Sequence, residues 1–138
     1  MHTRILFCVM LIGFTSCSNP TKEEQMPFAY VNLQISLLDQ NYAIPLDKGF
    51  RYLPGVGVKG ILLYRENIST YIAFERCCTY KPTLPCEMIE VDSSNLYIKD
   101  KCCNSFFKFD GTPFSGPAYR PLQKYSTNIV GNTLYITN

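Results

Sequence analysis

The chain has 138 residues, of which 46% are hydrophobic and 17% are charged, a composition that fits one domain with a packed core and excludes a disordered chain. Ten tyrosines and nine phenylalanines favour strands over helices. The formal net charge is +2, and removal of Arg4 with the predicted leader leaves +1. That charge is too small for the basic surface of a nucleic-acid-binding protein, so we expect no nucleic-acid partner.

The N-terminal segment has the pattern of an export signal. Arg4 gives a positive start, an apolar run extends to Phe14, and the segment ends in Thr15-Ser16-Cys17. The run is too short to span a bilayer. Small residues before a cysteine resemble the processing site of bacterial lipoproteins, so we predict a signal peptide over residues 1–16 and lipidation of Cys17. An ordinary secretory signal with an incidental cysteine is the alternative.

Residues 17–27 are predicted to be a polar tether, and residues 28–138 the folded domain. Acyl chains on Cys17 would hold the protein stably at a membrane. We therefore expect a location in the cell envelope, anchored to the outer membrane on its periplasmic side or at the cell surface. Lys22-Glu23-Glu24 is either a solvated linker or an acidic export tag of the kind seen in Bacteroidetes lipoproteins.

The folded domain shows the signals of many short strands. Val31, Leu33, Ile35 and Leu37 alternate with polar residues, which indicates a half-buried strand. Gly131-Asn132 between two strand-like runs predicts a tight hairpin. No helical period continues for three turns. The sequence predicts an all-β fold, a small barrel or sandwich, with strands over residues 31–37, 50–53, 58–65, 71–76, 88–91, 96–98, 106–109, 124–130 and 133–137.

Several motifs occur in a characteristic order. They are Gly57-Val58-Lys59-Gly60-Ile61, Ala73-Phe74-Glu75-Arg76-Cys77-Cys78, Ser105-x-Phe107, Gly116-Pro117-Ala118 and Pro121-Leu122. This order resembles the Rieske family, and in particular Rieske-like lipoproteins of Bacteroidetes, over about residues 31–136. The resemblance implies an all-β, Rieske-like fold of small antiparallel sheets with a cysteine-bearing two-loop subdomain. In the family, those two loops hold a [2Fe–2S] cluster.

The family's four ligand positions correspond here to Cys78, Tyr80, Asp100 and Cys103, and only Cys78 keeps the residue type of the family. A Rieske centre needs two imidazoles on one iron. The only histidine in the chain is His2, inside the predicted leader. The resemblance therefore implies a Rieske-like domain that has lost the standard cluster. We expect Tyr80 to be a packing residue and Asp100 to be a solvated loop carboxylate.

Five cysteines lie in the folded domain: Cys77, Cys78, Cys86, Cys102 and Cys103. If each vicinal pair is extended, one member should face inward and the other outward. An oxidising compartment favours structural disulfides. The resemblance implies a Cys86–Cys102 bridge between the two loops. A second disulfide, Cys78–Cys103, would then join two of the family's ligand positions, and Cys77 would be the fifth cysteine, outside both disulfides.

A metal site is the alternative to the disulfides. Cys78, Cys86, Cys102 and Cys103 could give four thiolates to zinc or iron, and Asp100 or Tyr80 could replace one of them. Free or redox-active thiols are the third alternative. The phenylalanines Phe106, Phe107, Phe109 and Phe114 are expected to pack in the core and at a loop tip.

No Ser/His/Asp triad, phosphate-binding loop or carboxylate pair is present, so we do not expect an enzyme. The predicted function is that of an envelope lipoprotein with a disulfide-stabilised binding or structural module and no cofactor. The alternative is an electron-transfer protein with an altered [2Fe–2S] or zinc site. The membrane is the expected partner through the lipid anchor, and the sequence identifies no protein partner.

Overall fold

The computed structural model describes residues 24–46, 49–86 and 88–138. The predicted signal peptide, Cys17 and the first part of the tether lie outside the described residues. The described part contains one short 3-10 helix, Gln40–Tyr42, and ten strands, which confirms the all-β prediction. The strands are β1 (Asn32–Ser36), β2 (Phe50–Leu53), β3 (Ile61–Arg65), β4 (Tyr71–Glu75), β5 (Ile89–Val91), β6 (Ile98–Asp100), β7 (Ser105–Phe107), β8 (Pro113–Ser115), β9 (Lys124–Val130) and β10 (Thr133–Thr137).

A six-stranded antiparallel sheet forms the larger part of the domain. Its strand order is β1-β10-β9-β4-β3-β2. The β9–β10 hairpin pairs Val130 with Thr133 around the Gly131-Asn132 turn, as its sequence predicts. In β1 the alternation is also observed, because Ile35 is buried between two exposed polar neighbours. One hydrophobic core packs on this sheet, formed by Val31, Ile35, Ile44, Leu53, Ile61, Leu63, Tyr71, Ala73, Tyr125, Leu134 and Ile136.

A four-stranded sheet, in the order β5-β6-β7-β8, carries the cysteine loops. Strand β3 connects the two parts, since Ile61 and Leu63 belong to the first core and Leu62 to the second. Successive residues of a strand face opposite sides of the sheet, so an unbroken apolar run can be buried on both faces. The second core consists of Leu62, Phe74, Cys78, Ile89, Val91, Ile98, Phe107, Ala118 and Leu122.

Several local features differ from the sequence prediction. Strand β6 spans Ile98–Asp100 rather than residues 96–98. Strand β3 begins at Ile61 rather than at residue 58, because the backbone N–H groups of Val58 and Lys59 donate to the Glu75 carboxylate instead of a neighbouring strand. Strand β7 ends at Phe107, since the Asp110-Gly111 turn is already closed by a hydrogen bond to the carbonyl of residue 108. Strand β8 was not predicted from the sequence.

Within the described residues, the structure contains no helix with the length and apolar character needed to cross a bilayer.

Candidate cysteine–aspartate site

Three loops meet at one end of the four-stranded sheet. The first loop follows β4 and carries residues 77–86, the second follows β6 and carries residues 101–104, and the third follows β8 and carries residues 116–122. A Cys86–Cys102 disulfide joins the first and second loops, with the two Cα atoms 5.7 Å apart. This is the bridge that the family resemblance implies. Because both of its sulfurs are bonded to each other, Cys86 and Cys102 cannot be thiolate ligands, and the four-cysteine metal site considered from the sequence is not formed.

Arg120 and Thr79 tie the third loop to the first. The Arg120 guanidinium donates to the Thr79 carbonyl at 3.0 Å, and the Thr79 hydroxyl donates to the Arg120 carbonyl at 2.9 Å. Each residue donates one hydrogen bond and accepts one, so this pair of bonds fixes the position of the third loop relative to the first.

Cys78, Asp100 and Cys103 form the centre of the site. Their potential ligand atoms all lie within 4.8 Å of one another. Cys78 and Asp100 are fully buried, and Cys103 is half-buried. The Cys78 and Cys103 sulfurs are 3.7 Å apart, and neither belongs to a disulfide. The predicted Cys78–Cys103 disulfide is therefore not formed in this structure, since a bonded pair would lie about 2.05 Å apart.

Asp100 corrects a second sequence prediction, because it is not a solvated loop residue. It is the last residue of β6, where the alternation places it on the buried face with Ile98. Its Oδ1 accepts from the backbone N–H groups of Cys102 at 2.7 Å and Cys103 at 3.1 Å. Its Oδ2 is buried and has no hydrogen-bond partner. An unpaired carboxylate oxygen in a protein interior is costly unless a cation or a proton compensates it.

The electrostatic setting of the site favours the neutral thiol. Burial raises the pKa of Cys78 well above its ordinary value. The backbone N–H of Tyr80 donates to the sulfur and opposes this rise in pKa, whereas the charge of Asp100 and the neighbouring Cys103 add to it. Without a cation, Cys78 is thus a thiol at neutral pH. A bound metal ion would supply the positive charge that a thiolate requires.

Ser105 positions the half-buried thiol. The Cys103 sulfur donates to the Ser105 hydroxyl at 3.0 Å, and the same oxygen accepts from the Ala118 backbone N–H at 3.0 Å. The third loop approaches so closely that a Cβ atom on Gly116 would lie 2.5 Å from the Ser105 Cα. The sequence contained a signal for this contact in the motifs Ser105-x-Phe107 and Gly116-Pro117-Ala118, but gave no role for the hydroxyl.

Cys77 lies next to the site but has different contacts. Its thiol donates to the Pro82 carbonyl at 2.9 Å, and its backbone N–H donates to Glu75. Both members of the Cys77-Cys78 pair are fully buried, contrary to the expected alternation. The reason is that β4 has ended at Glu75, so the pair follows a loop path in which Cys77 forms only an isolated bridge with Met88.

The remaining candidates are aromatic. Tyr80 packs against the second core, with the Lys81 ammonium 5.3 Å from its ring centre, which agrees with the packing role expected for it. Phe107 is fully buried. Phe106 and Phe114 pack against Tyr97 near the edge of the four-stranded sheet, with ring centres 5.4 and 6.1 Å from that of the tyrosine.

No family model matches the chain, and no curated protein matches it. Among solved structures, the chain is similar to the crystal structure of the cyanobacterial plasma membrane Rieske protein PetC3 from Synechocystis PCC 6803. The TM-score is 0.50 and the sequence identity 21%, over 66% of this chain and 86% of that chain. The likeness establishes a Rieske-like fold, as the sequence resemblance implied, and at this identity it extends to the fold alone.

Proposed function

We propose that this protein is a lipid-anchored envelope protein whose Rieske-like domain binds a single divalent metal ion. Cys78, Asp100 and Cys103 would be the ligands, and zinc is the ion that fits them best. The lipid anchor would be Cys17, as expected for the Bacteroidetes lipoproteins that the sequence resembles. The observation that carries the metal proposal is the buried Asp100 oxygen without a hydrogen-bond partner, beside two cysteine sulfurs that belong to no disulfide.

The donor atoms do not fit the cluster that the fold family implies. A Rieske centre takes two thiolates on one iron and two imidazoles on the other. Tyr80 and Cys103 occupy the positions that correspond to the histidines, and none of the described residues is a histidine. We therefore infer no reaction that depends on a His-ligated [2Fe–2S] cluster.

The spacing of the donor atoms supports one ion rather than a cluster. Two thiolates at about 2.3 Å from a tetrahedral zinc ion lie about 3.8 Å apart. The Cys78 and Cys103 sulfurs are 3.7 Å apart, so these two side chains already have the separation that a zinc ion requires. The Asp100 carboxylate, within the same 4.8 Å group, would add a third ligand.

The identity of the ion determines the kind of function. Three protein ligands leave a fourth position on zinc for water or another ligand, and zinc has no redox chemistry of its own. A zinc-loaded protein would thus be a binding or structural module, whereas an iron-loaded protein would retain an electron-transfer role. We do not infer enzymatic activity for either form.

A second candidate function needs no metal. The Cys86–Cys102 disulfide and the paired hydrogen bonds of Thr79 with Arg120 hold the three loops together by themselves. This supports a disulfide-stabilised binding or structural module, in which Cys78 and Cys103 would be a dithiol without a metal. The two functions differ in metal content and in thiol reactivity.

Metal binding can be tested on the protein purified from membranes with its disulfide intact. We expect one equivalent of zinc or iron by elemental analysis, and a thiolate-to-metal absorption band on titration of the metal-free protein with cobalt(II). The Cys103→Ser and Asp100→Asn variants should bind the ion more than about 100-fold more weakly, since even indirect partners of a ligand contribute 10- to 100-fold.

The Cys77→Ala variant is the matched control, because Cys77 is a buried cysteine that belongs neither to the disulfide nor to the donor group. It should bind the ion as tightly as the wild type, provided that circular dichroism shows both to be folded. Metal-free protein that takes up no cobalt would overturn the proposal in favour of the disulfide-stabilised module. Equal losses of affinity in the Cys77→Ala and Cys103→Ser variants would also contradict the assignment of ligands.

A further inference from the structure

The three loops, residues 77–86, 101–104 and 116–122, lie at one end of the domain, which we call the loop end. The described part of the chain begins there, at Glu24. The Glu24 carboxylate accepts from the Thr83 hydroxyl of the first loop at 2.8 Å. The Glu24 carbonyl accepts from the guanidinium of Arg120, in the third loop, at 2.9 Å. The polypeptide therefore enters the domain beside the loops that enclose the cysteine–aspartate site, and reaches the six-stranded sheet only afterwards, at β1.

The length of chain before Glu24 limits how far the loop end can lie from an anchored Cys17. Glu24 is the seventh residue after Cys17, so seven residue steps join the two positions. At 3.3–3.6 Å per residue, even a fully extended segment spans no more than about 25 Å. A lipid on Cys17 would accordingly keep the loop end within that distance of the membrane interface.

The opposite end of the domain lies further away along the sheet. Strand β9 begins at Lys124, which pairs with Phe74 just before the first loop, and ends at Val130 in the β9–β10 turn. Six residues of antiparallel strand span about 20 Å. The β9–β10 turn and the loop end thus lie at opposite ends of β9, and the tether leaves the domain at the loop end.

The loop end carries side chains that suit a lipid interface. Tyr119 in the third loop is 68% exposed, and Leu84 in the first loop is 40% exposed. The exposed Lys81 lies beside Leu84, whose backbone N–H donates to the Lys81 carbonyl. Tyrosine is enriched at membrane interfaces, and a lysine there can keep its charge in the headgroup layer while its stem lies on apolar groups.

We propose that the loop end docks on the lipid surface in which Cys17 is anchored, with Tyr119 and Leu84 at the interface. This inference rests on the lipid anchor of the proposed function. The docked domain has the β9–β10 turn away from the bilayer and the cysteine–aspartate site next to it. The site then exchanges its ion or ligand with components at the membrane surface rather than with the open periplasm or medium.

The absence of tryptophan from the chain allows a direct test. Tyr119→Trp and Val130→Trp each introduce a single tryptophan, which can be excited selectively over the tyrosines, at an exposed position at the loop end or at the opposite turn. The full-length lipidated variants are reconstituted into phosphatidylethanolamine–phosphatidylglycerol vesicles that contain a dansyl-labelled headgroup lipid. Because the β9–β10 turn lies about 20 Å along β9 from the strand end beside the loops, we expect energy transfer to the dansyl group at least roughly twofold more efficient from position 119.

Flotation of the vesicles separates the failure of the anchor from the failure of the orientation. The Cys17→Ser variant should remain at the bottom of the gradient, whereas both tryptophan variants should float. If the Cys17→Ser variant floats as well, the lipid anchor is wrong, and the inference falls with it. If only the lipidated forms float but transfer from position 119 is no greater than from position 130, the anchor stands and the docking is overturned.

Discussion

Glu75 holds the first cysteine loop in place, and replacing it tests how the loop is fixed. Its carboxylate is fully buried and accepts four hydrogen bonds. Oε1 accepts from the backbone N–H groups of Lys59 and Cys77, and Oε2 accepts from the Val58 N–H at 2.7 Å and from the Tyr125 hydroxyl at 2.7 Å. Every donor points at an acceptor, so a side chain with fewer acceptors cannot satisfy them all.

Glu75→Gln keeps the shape of the side chain and removes half of its accepting capacity. The new amide nitrogen would take the place of Oε2, where the Tyr125 hydroxyl can turn to accept from it. The Val58 N–H then faces another donor and loses its bond, and the remaining bonds become neutral. Since a buried unpaired donor costs about 1–3 kcal/mol and a charged acceptor adds to each bond, we expect the free energy of unfolding to fall by about 2–4 kcal/mol.

Urea unfolding followed by circular dichroism measures this loss, with Tyr125→Phe as the matched control. That variant removes one donor and leaves the carboxylate with its three backbone N–H groups, so it should lose only about 1–1.5 kcal/mol. A Glu75→Gln variant no less stable than Tyr125→Phe would refute the idea that this carboxylate satisfies the loop backbone.

Three further substitutions test the loops and the sheet. Replacing Cys86 and Cys102 by alanine removes a bridge between residues 16 apart, and should lower the free energy of unfolding by about 3 kcal/mol; reduced wild type should then match the variant in urea unfolding. Gly116→Ala, at φ 89°, should cost more than the roughly 1 kcal/mol of an open glycine site, because its Cβ would meet the Ser105 backbone; thermal unfolding measures this. A hydrogen bond from Lys99 lowers the pKa of Asp92, so the stability advantage of the wild type over Asp92→Asn should be constant above about pH 5 and decline progressively as the pH falls toward the lowered pKa; urea unfolding at a series of pH values measures this.

The sheet elements were predictable because their signals are local. The Gly131-Asn132 turn defines the β9–β10 hairpin, and both strands occupy the predicted residues. The strand predicted over residues 71–76, which leads into the first loop, was also correct up to Glu75. Where an apolar run continues past a strand, periodicity gives no boundary: the bonds that end the regular path at Val58 come from a carboxylate 17 residues away. Such a contact has no signature in the local sequence.

The site was less predictable, because its chemistry depends on burial. Asp100 stands between two lysines in the sequence, a setting typical of a solvated loop. Its burial follows from its being the inward residue at the end of a three-residue strand, too short to show a period. The positions of Cys78 and Cys103 were available from the family resemblance, whereas the absence of a bond between their sulfurs was not.

The hydrogen bonds of the site explain how a Rieske-like fold can hold its loop conformations with side chains other than the usual cluster ligands at the ligand positions. Asp100 Oδ1 fixes the backbone N–H groups of the second loop, the Ser105 hydroxyl fixes the third, and Glu75 fixes the first. None of these contacts requires an ion. Of the three polar side chains, only Asp100 also has an oxygen left unpaired beside the two thiols, Cys78 and Cys103. The loop framework thus needs no ion, whereas the unpaired oxygen and the 3.7 Å separation of the sulfurs are features that the proposed ion would satisfy.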